Sequence, residues 1–589
     1  MNIFEQIQTQ VQQAFPALFG TAVEIEKITI NETLKEFSGD VTLVVFPLLK
    51  LTKKNPEESA RIIGEFLLSN NPHVESFNVI KGFLNLVLKD AFWTAFLLEE
   101  PMQIPAKNEV VLIEYSSPNT NKPIHLGHVR NNVLGYALAG IFKANGYQTS
   151  KVNLINDRGI HICKSMIAWQ KFANGETPES SGMKGDKLVG KYYVAFDKQY
   201  KQEIETLIAT GHTKEEAEKQ APILLAAQAM LLRWENGDAE VVDLWKMMNA
   251  WVYAGFDVTY KNLGVDFDKY YYESNTYLLG KDIVEDGLSR GVFYKKENGS
   301  VWIDLSADGL DEKLVLRADG TSVYITQDLG TADLKYQDFK MNRSIYVVGN
   351  EQDYHFKVLK LILQKLGRPY ADGIQHFSYG MVDLPSGKMK SREGTVVDAD
   401  DLIDDMIAAA KEQTEALGKI DDFTEEEKIA LFKTIGLGAL KFFLLRVDPK
   451  KRILFDPKES IDLHGYTGPF VQYTYARTRS ILRKAGSITP LAKSDLAAYA
   501  LLASEKELIK ILYKSNIILA ECCKEMNPAK LIDYTYDVAK IYNKFYNDCA
   551  ILAAEKEIEK KCRLQLTTLT GNTIQRCFAL VGIDVPERM

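Results

Sequence analysis

No two cysteines stand at CxxC spacing. Cys163, Cys522, Cys523, Cys549, Cys562 and Cys577 are scattered through the chain. That gives no zinc ribbon and no disulfide frame, and it points to reduced, buried thiols in a cytoplasmic protein. There is no apolar run of about 18 residues, so no membrane-spanning helix is expected. The start, Met1-Asn2-Ile3-Phe4-Glu5, lacks the basic-then-apolar order of a signal peptide. Nor is there an excess of positive charge: the formal net charge is −8. Taken alone that argues weakly against a nucleic-acid partner, but the distribution of charge matters more than its sum. Internal repeats and low-complexity segments are missing too. What remains is an ordinary globular composition, 46% hydrophobic and 25% charged, in a chain of 589 residues. That length is too great for one core and implies several domains.

Residues 1–105 combine a helical start (Ile3 to Phe15), a helix from Pro56 to Leu68, and strand-like runs at 41–46 and 83–88. This pattern predicts a small α+β domain. A linker-like stretch, 100–108, follows. Val110 to Tyr115 is then an apolar run of strand length, followed by a polar loop, a helix from about Gly127 to Asn145 ending at Gly146, and a second strand from Gln148 to Leu154. Strand-loop-helix-strand is the opening of a parallel sheet, whose ligands lie at the carboxyl ends of its strands. Residues 175–265 read as a helical insertion, with Trp234, Trp245 and Trp251 as core anchors. Strand-like runs return at 300–305, 322–326, 344–348 and 376–382, and after about Asp398 the chain reads as helical almost throughout. The fold class expected is α/β: a Rossmann-like parallel-sheet domain at 107–455, with the α+β domain before it and an all-α region, 456–589, after it.

The loop after the first strand contains His125-Leu126-Gly127-His128 at the start of a helix. With eight histidines and 38 glycines in 589 residues, HxGH is expected by chance only about 0.007 times, so the motif carries information. A helix N-terminus offers amides and a positive dipole end to phosphates. Gly127 allows close approach of a ligand, and two imidazoles can donate to phosphate oxygens as charge builds on them. The same histidines could instead cap the helix. A metal cluster of His125, His128, His161 and Cys163 is a further alternative, but the strand-helix junction suits phosphate better, and no metal site is expected.

A second polar loop, Met381 to Thr395, carries Lys388-Met389-Lys390-Ser391-Arg392. Taken alone it is any exposed turn; with HxGH upstream, its cations suit a triphosphate. Between Lys441 and Lys484 lie ten Lys/Arg against four Asp/Glu, with seven Phe/Tyr interleaved, either a solvated helix face or a nucleic-acid surface.

HxGH followed about 260 residues later by KMKSR resembles the paired signatures of class I aminoacyl-tRNA synthetases. Glu114 to Asn119, Lys122 to Arg130, Asn156-Asp157-Arg158-Gly159, Tyr324 to Gly330, Val347 to Asp353 and Val585 to Met589 together resemble the arginyl-tRNA synthetases, over essentially the whole chain. The resemblance implies an N-terminal tRNA-elbow-binding domain, a Rossmann catalytic domain and a helical anticodon-binding domain. It implies ATP-dependent formation of arginyl-adenylate, release of pyrophosphate, and transfer to the 3′-terminal adenosine of tRNA(Arg). Magnesium would be bound with the ATP, and tRNA would be needed even for the first step.

By the same resemblance, His125, His128, Lys122, Lys388 and Lys390 are catalytic, and Gly127, Met389, Ser391 and Arg392 bind ATP. Glu114, Ser117, Asn119, Tyr324, Asp328 and Gln352 line the arginine pocket. Carboxylates suit a guanidinium, which presents five donors in a rigid fork. Gln472, Tyr473, Tyr475 and Arg477 are implied to bind tRNA; aromatic and arginine side chains suit unstacked bases. Ser391 departs from the family pattern, which has lysine there, and Lys122 occupies the place of a compensating lysine. The alternatives are another class I synthetase, a small-molecule nucleotidyltransferase and a non-catalytic tRNA-binding paralogue. The interval between the signatures is too short for an editing insertion. A cytoplasmic monomer is expected.

Overall fold

The structure is a computed structural model describing residues 2–98, 104–383, 385, 397–418, 420–487, 490–496 and 499–589. The chain forms two compact units. One comprises Met1–Gln103, Arg477–Ile517 and Asp537–Thr573; the other comprises Ile104–Ala476, Ile518–Tyr536 and Ile574–Met589. The C-terminal helices are therefore shared between the two.

In the first unit, β1 (Thr29–Glu32), β2 (Val41–Val44), β3 (Val74–Ile80) and β4 (Phe83–Leu88) make an antiparallel sheet in the order β1-β2-β4-β3. Lys81 and Gly82 join β3 to β4 with φ of 51° and 81°, the left-handed pair that a tight two-residue hairpin demands. The helices Ile3–Phe19 and Pro56–Asn70 begin where Asn2 and Asn55 accept bonds from the amides of Glu5 and Glu58. Their buried faces, Ile3, Ile7, Val11 and Phe15 in the first and Ala60, Ile63 and Leu67 in the second, follow helical spacing.

The second unit is built on a five-stranded parallel sheet. Its first strands are β5 (Val110–Glu114), β6 (Gln148–Ile155) and β7 (Lys269–Tyr272). A small antiparallel sheet, β8 (Tyr294–Lys295), β9 (Val301–Ile303) and β10 (Lys313–Leu316), interrupts them before β11 (Arg343–Gly349) and β12 (Ile374–Tyr379) complete the order β12-β11-β5-β6-β7. The chain winds outward from β5 in both directions, so the switch point lies between β5 and β11, where such sheets bind ligands. Helices Gly185–Ala209, Pro222–Glu235 and Ala239–Leu263 fill the insertion between β6 and β7.

Two strand expectations are corrected. Residues 322–326 do not form a strand: the Val323 amide donates to Thr326 Oγ1, and this cap starts the helix Tyr324–Phe339. The 300–305 run supplies β9, but in the antiparallel sheet, behind the turn at Gly299 with its φ of 89°. Trp234, Trp245 and Trp251 are half-buried instead of deep core; Trp245 Nε1 donates to the Asp157 carbonyl (2.6 Å).

Candidate active site

At the end of β5 the backbone turns sharply. Ser116 and Ser117 have φ of 78° and 45°, left-handed values that cost a residue with a side chain about 1–3 kcal/mol each. Neighbouring side chains hold the turn. The Ser116 amide donates to Asn131 Oδ1 (2.6 Å), the Ser117 amide to Asn153 Oδ1 (3.0 Å), and Asn156 Nδ2 to the Ser117 carbonyl (3.1 Å). Asn131 also donates to the Val347 carbonyl at the end of β11 (2.6 Å), so it ties both sides of the switch point together. A cavity of about 210 Å³ opens there, lined by Ser116, Ser117, His125, Gly127, His128, Asn131, Val347, Val348, Tyr379, Met381 and Val382. None of these side chains carries a full charge at neutral pH.

His125 caps the helix Leu126–Ala144, its Nδ1 accepting from the Gly127 amide (3.1 Å). His128 Nδ1 in turn accepts from the His125 amide (3.4 Å). An accepting Nδ1 places the ring proton on Nε2, so each ring keeps one N–H to donate. Burial, with a smaller effect of Lys122, pushes the His125 pKa down to about 3. Burial, then His125 and Lys122, pushes His128 well below the usual value. Both are neutral donors. The helix amides contribute less than the sequence implied: Leu126 donates to the Val397 carbonyl, Gly127 to the His125 ring and Val129 to the His125 carbonyl. Three amides at this helix start are therefore already occupied within the chain. A Cβ on Gly127 would lie 3.0 Å from His125 Cε1 and 3.1 Å from Nδ1, which accounts for glycine between the histidines. Further along, a Cβ on Gly140 would lie 2.0 Å from the Leu580 carbonyl oxygen, so this helix packs directly on residues near position 580.

Side chains alternate across β5. Tyr115 packs under Gly135 of the His125-capped helix, whereas Leu112 joins the core of the Tyr324–Phe339 helix with Leu329 and Ala332. Glu114 lies on that second side, 6% exposed, ion-paired with the buried Lys335. Asp328, on the same helix, accepts from His355 Nε2 (2.5 Å). Tyr324 begins the helix and is 80% exposed; Gln352 and Asn119 are also exposed, and Asn119 bridges to Asn156 beyond the end of β6. Expected for one pocket, these residues do come from the carboxyl ends of β5 and β11 and from the helix between β10 and β11. Glu273 was missed. It directly follows β7, and burial raises its pKa to about 7, with Arg158 lowering it and Asp157 and Asp328 raising it. A carboxylate at the carboxyl end of a parallel strand was the available signal.

Lys388, Met389, Lys390, Ser391 and Arg392 lie outside the described residues. The segments flanking them are firmly tied. Arg130, fully buried, donates to the carbonyls of Gly380, Met381 (3.2 Å), Pro449 (3.2 Å) and Lys451 (2.9 Å). On the far side the Ala399 amide donates to the Ile124 carbonyl (2.9 Å), and Asp398 caps the helix Ala399–Ala416. Lys122, half-buried, precedes the first signature.

Of the four residues expected at a tRNA surface, two are buried. Gln472 is fully buried, and its Nε2 donates to the carbonyls of Thr434 (2.9 Å) and Asp584 (2.8 Å). Tyr475, 1% exposed, donates to Glu587 Oε1 (2.7 Å). Both hold residues near position 585. Tyr473 is half-buried, and Arg477 donates to Asn543 Oδ1 (2.6 Å) with its guanidinium 4.8 Å from the Tyr546 ring centre. Among the residues of the metal alternative, burial pushes the Cys163 thiol up to about 12, and His161 Nδ1 meets the Tyr193 hydroxyl (3.2 Å).

Residues 94–456 match the family described as tRNA synthetases class I (R), catalytic domain, and residues 471–589 match the DALR anticodon binding domain. The chain belongs to the arginyl-tRNA synthetase family. It is 53% identical over 597 residues to the arginine–tRNA ligase of Bacteroides thetaiotaomicron and 54% identical over 608 residues to that of Flavobacterium psychrophilum, covering 100% of each chain in both cases. The solved Thermus thermophilus arginyl-tRNA synthetase shares the fold, with a TM-score of 0.81 at 24% identity and 100% coverage of both chains. The Plasmodium falciparum arginyl-tRNA synthetase structure gives 0.77 at 20% identity, covering 100% of this chain and 99% of its own. An arginyl-tRNA synthetase must bind a polyanion and a cation close together, and the carboxyl end of β5 has two differently built sides.

Proposed function

We propose that this chain joins L-arginine to tRNA(Arg) in two steps, with ATP bound on the HxGH side of β5 and arginine on the Glu114 side. The observation that carries the reading is the pair of neutral imidazoles, each with its Nε2–H free of the backbone bond, beside an uncharged cavity at the switch point. The arginine carboxylate attacks the α-phosphate in line and pyrophosphate leaves. Little covalent chemistry falls to the protein; positioning and stabilisation of growing phosphate charge do the work. His125 and His128 donate to phosphate oxygens, Gly127 allows the nucleotide close approach, and Lys122 supplies a nearby positive charge. Lys388, Lys390, Met389, Ser391 and Arg392 are assigned to the triphosphate by resemblance. Arg130 is a positioning residue that ties the HxGH helix to the segment entering the second signature.

Asp328, with Glu114 and Glu273, receives the guanidinium. Ser117, Asn119, Tyr324 and Gln352 complete the pocket. A site built on carboxylates gains a charge-assisted bond from arginine that a neutral analogue cannot supply, so no editing is required. Magnesium enters with ATP and is held by the phosphates; the residues lining the cavity include no carboxylate that would hold the ion from the protein side. The terminal adenosine hydroxyl of tRNA then attacks the adenylate carbonyl. Residues 1–105 serve as the tRNA-elbow domain, 107–455 as the catalytic domain and 456–589 as the anticodon domain, where Tyr473 and Arg477 face tRNA. The enzyme acts as a cytoplasmic monomer; no helix among the described residues is long and apolar enough to cross a membrane.

The test is ATP–pyrophosphate exchange with each of the twenty amino acids, with and without tRNA. Exchange with arginine alone, dependent on tRNA, is expected. Exchange with another amino acid would overturn the pocket assignment.

A further inference from the structure

Lys335 lies two helical turns beyond Asp328 and is 1% exposed. Its ammonium ion-pairs with Glu114 Oε2 and sits 4.6 Å from the Tyr346 ring centre. Burial works against the ammonium, but Glu114, Tyr346 and Asp328 outweigh it and hold its pKa above the ordinary lysine value. The contact between β5 and this helix does not need a charge pair, because Leu112, Leu329 and Ala332 already pack together there. Well-packed apolar residues in place of a buried ion pair are often neutral or stabilising, so stability alone is a poor reason for this one. A carboxylate at position 114 gains more from a guanidinium than from the uncharged urea of citrulline, but only if its oxygens are held where the fork arrives.

We propose that Lys335 is a positioning residue for amino-acid specificity: by engaging Oε2 it holds the Glu114 carboxylate in place and fixes which oxygen remains for the guanidinium of arginine. This rests on the placement of Glu114 in the arginine pocket. Lys335 itself touches no substrate; it acts through Glu114.

The test compares wild type, Lys335→Arg and the double variant Glu114→Gln/Lys335→Met in tRNA-dependent pyrophosphate exchange, with arginine and citrulline as substrates. The double variant leaves no unpaired buried charge, so it stays informative where a single removal would not fold. It is expected to raise KM for arginine roughly tenfold or more, to shrink the arginine-over-citrulline preference by a similar factor, and to leave KM for ATP unchanged. Lys335→Arg is expected to stay within about threefold of wild type, because the cation is kept. A double variant that retains the arginine KM and the preference overturns the proposal. So does one in which the KM values for arginine and ATP rise together, which marks a purely structural pair. If wild type itself activates no arginine, the pocket assignment fails, and the outcome is distinct from either.

Discussion

The two sides of β5 solve opposite electrostatic problems with opposite materials. The HxGH side is assigned to a polyanion, yet the cavity lining is neutral: its donors are two neutral imidazoles whose geometry is set by backbone bonds. The other side, assigned to a cation, has carboxylates with resident partners, the ammonium of Lys335 for Glu114 and a hydrogen bond from the imidazole of His355 for Asp328. The difference follows from when charge matters. Phosphate charge grows during the reaction, and fixed neutral donors serve a transition state without over-binding the ground state. A guanidinium is charged throughout and has to be told from neutral analogues on arrival, which calls for formal charge already in place.

The comparison breaks most visibly at the imidazoles. His128→Ala is expected to lower kcat for adenylate formation roughly 10²–10³-fold while KM for arginine stays within about twofold. Steady-state exchange kinetics check this, and a rise in arginine KM instead would mean that the two sides are not separable. Asp328→Asn is the converse: loss of a charge-assisted bond worth about 1.5–3 kcal/mol raises arginine KM roughly 10- to 100-fold, with ATP KM unmoved. Gly127→Ala sharpens the role of geometry. The added methyl displaces the His125 ring, and a loss of about tenfold in kcat with normal folding by circular dichroism is expected.

The smallest effect is in stability. His125 has a folded pKa of about 3, far below the usual 6.5 of an unfolded chain. Above pH 6.5 both states are neutral; as pH falls toward 3 the unfolded state takes up a proton that the native ring refuses, so stability is lost over that window. Urea midpoints at pH 7 and pH 5 are expected to fall further apart in wild type than in His125→Gln.

The parallel sheet, its first strand and the helix beginning at His125 were legible because an apolar run, a polar loop and a periodic helix ending at a glycine leave few other readings. Residues 322–326 were misread because their β-branched, aromatic composition suits a strand, while a side-chain cap between Thr326 and the Val323 amide decided for helix. The burial of Gln472 and Tyr475 was not legible for a different reason: a helix rich in arginine and tyrosine looks like a nucleic-acid surface, and nothing local reveals which face closes over Asp584 and Glu587. Glu273 was invisible for want of a motif, although its place at a strand end was a usable sign.

Gly140 against the Leu580 carbonyl has a consequence for biosynthesis. The catalytic unit is discontinuous and recruits residues 574–589, which are translated long after its signature helix. Until they emerge, the back of that helix lacks its packing partner and Gln472 and Tyr475 have nothing to hold. The nascent chain therefore passes through a stage in which both signature sequences exist but the catalytic unit cannot close. Chaperone binding to ribosome-attached chains halted before residue 574 should be stronger than to chains halted beyond residue 589 with a spacer.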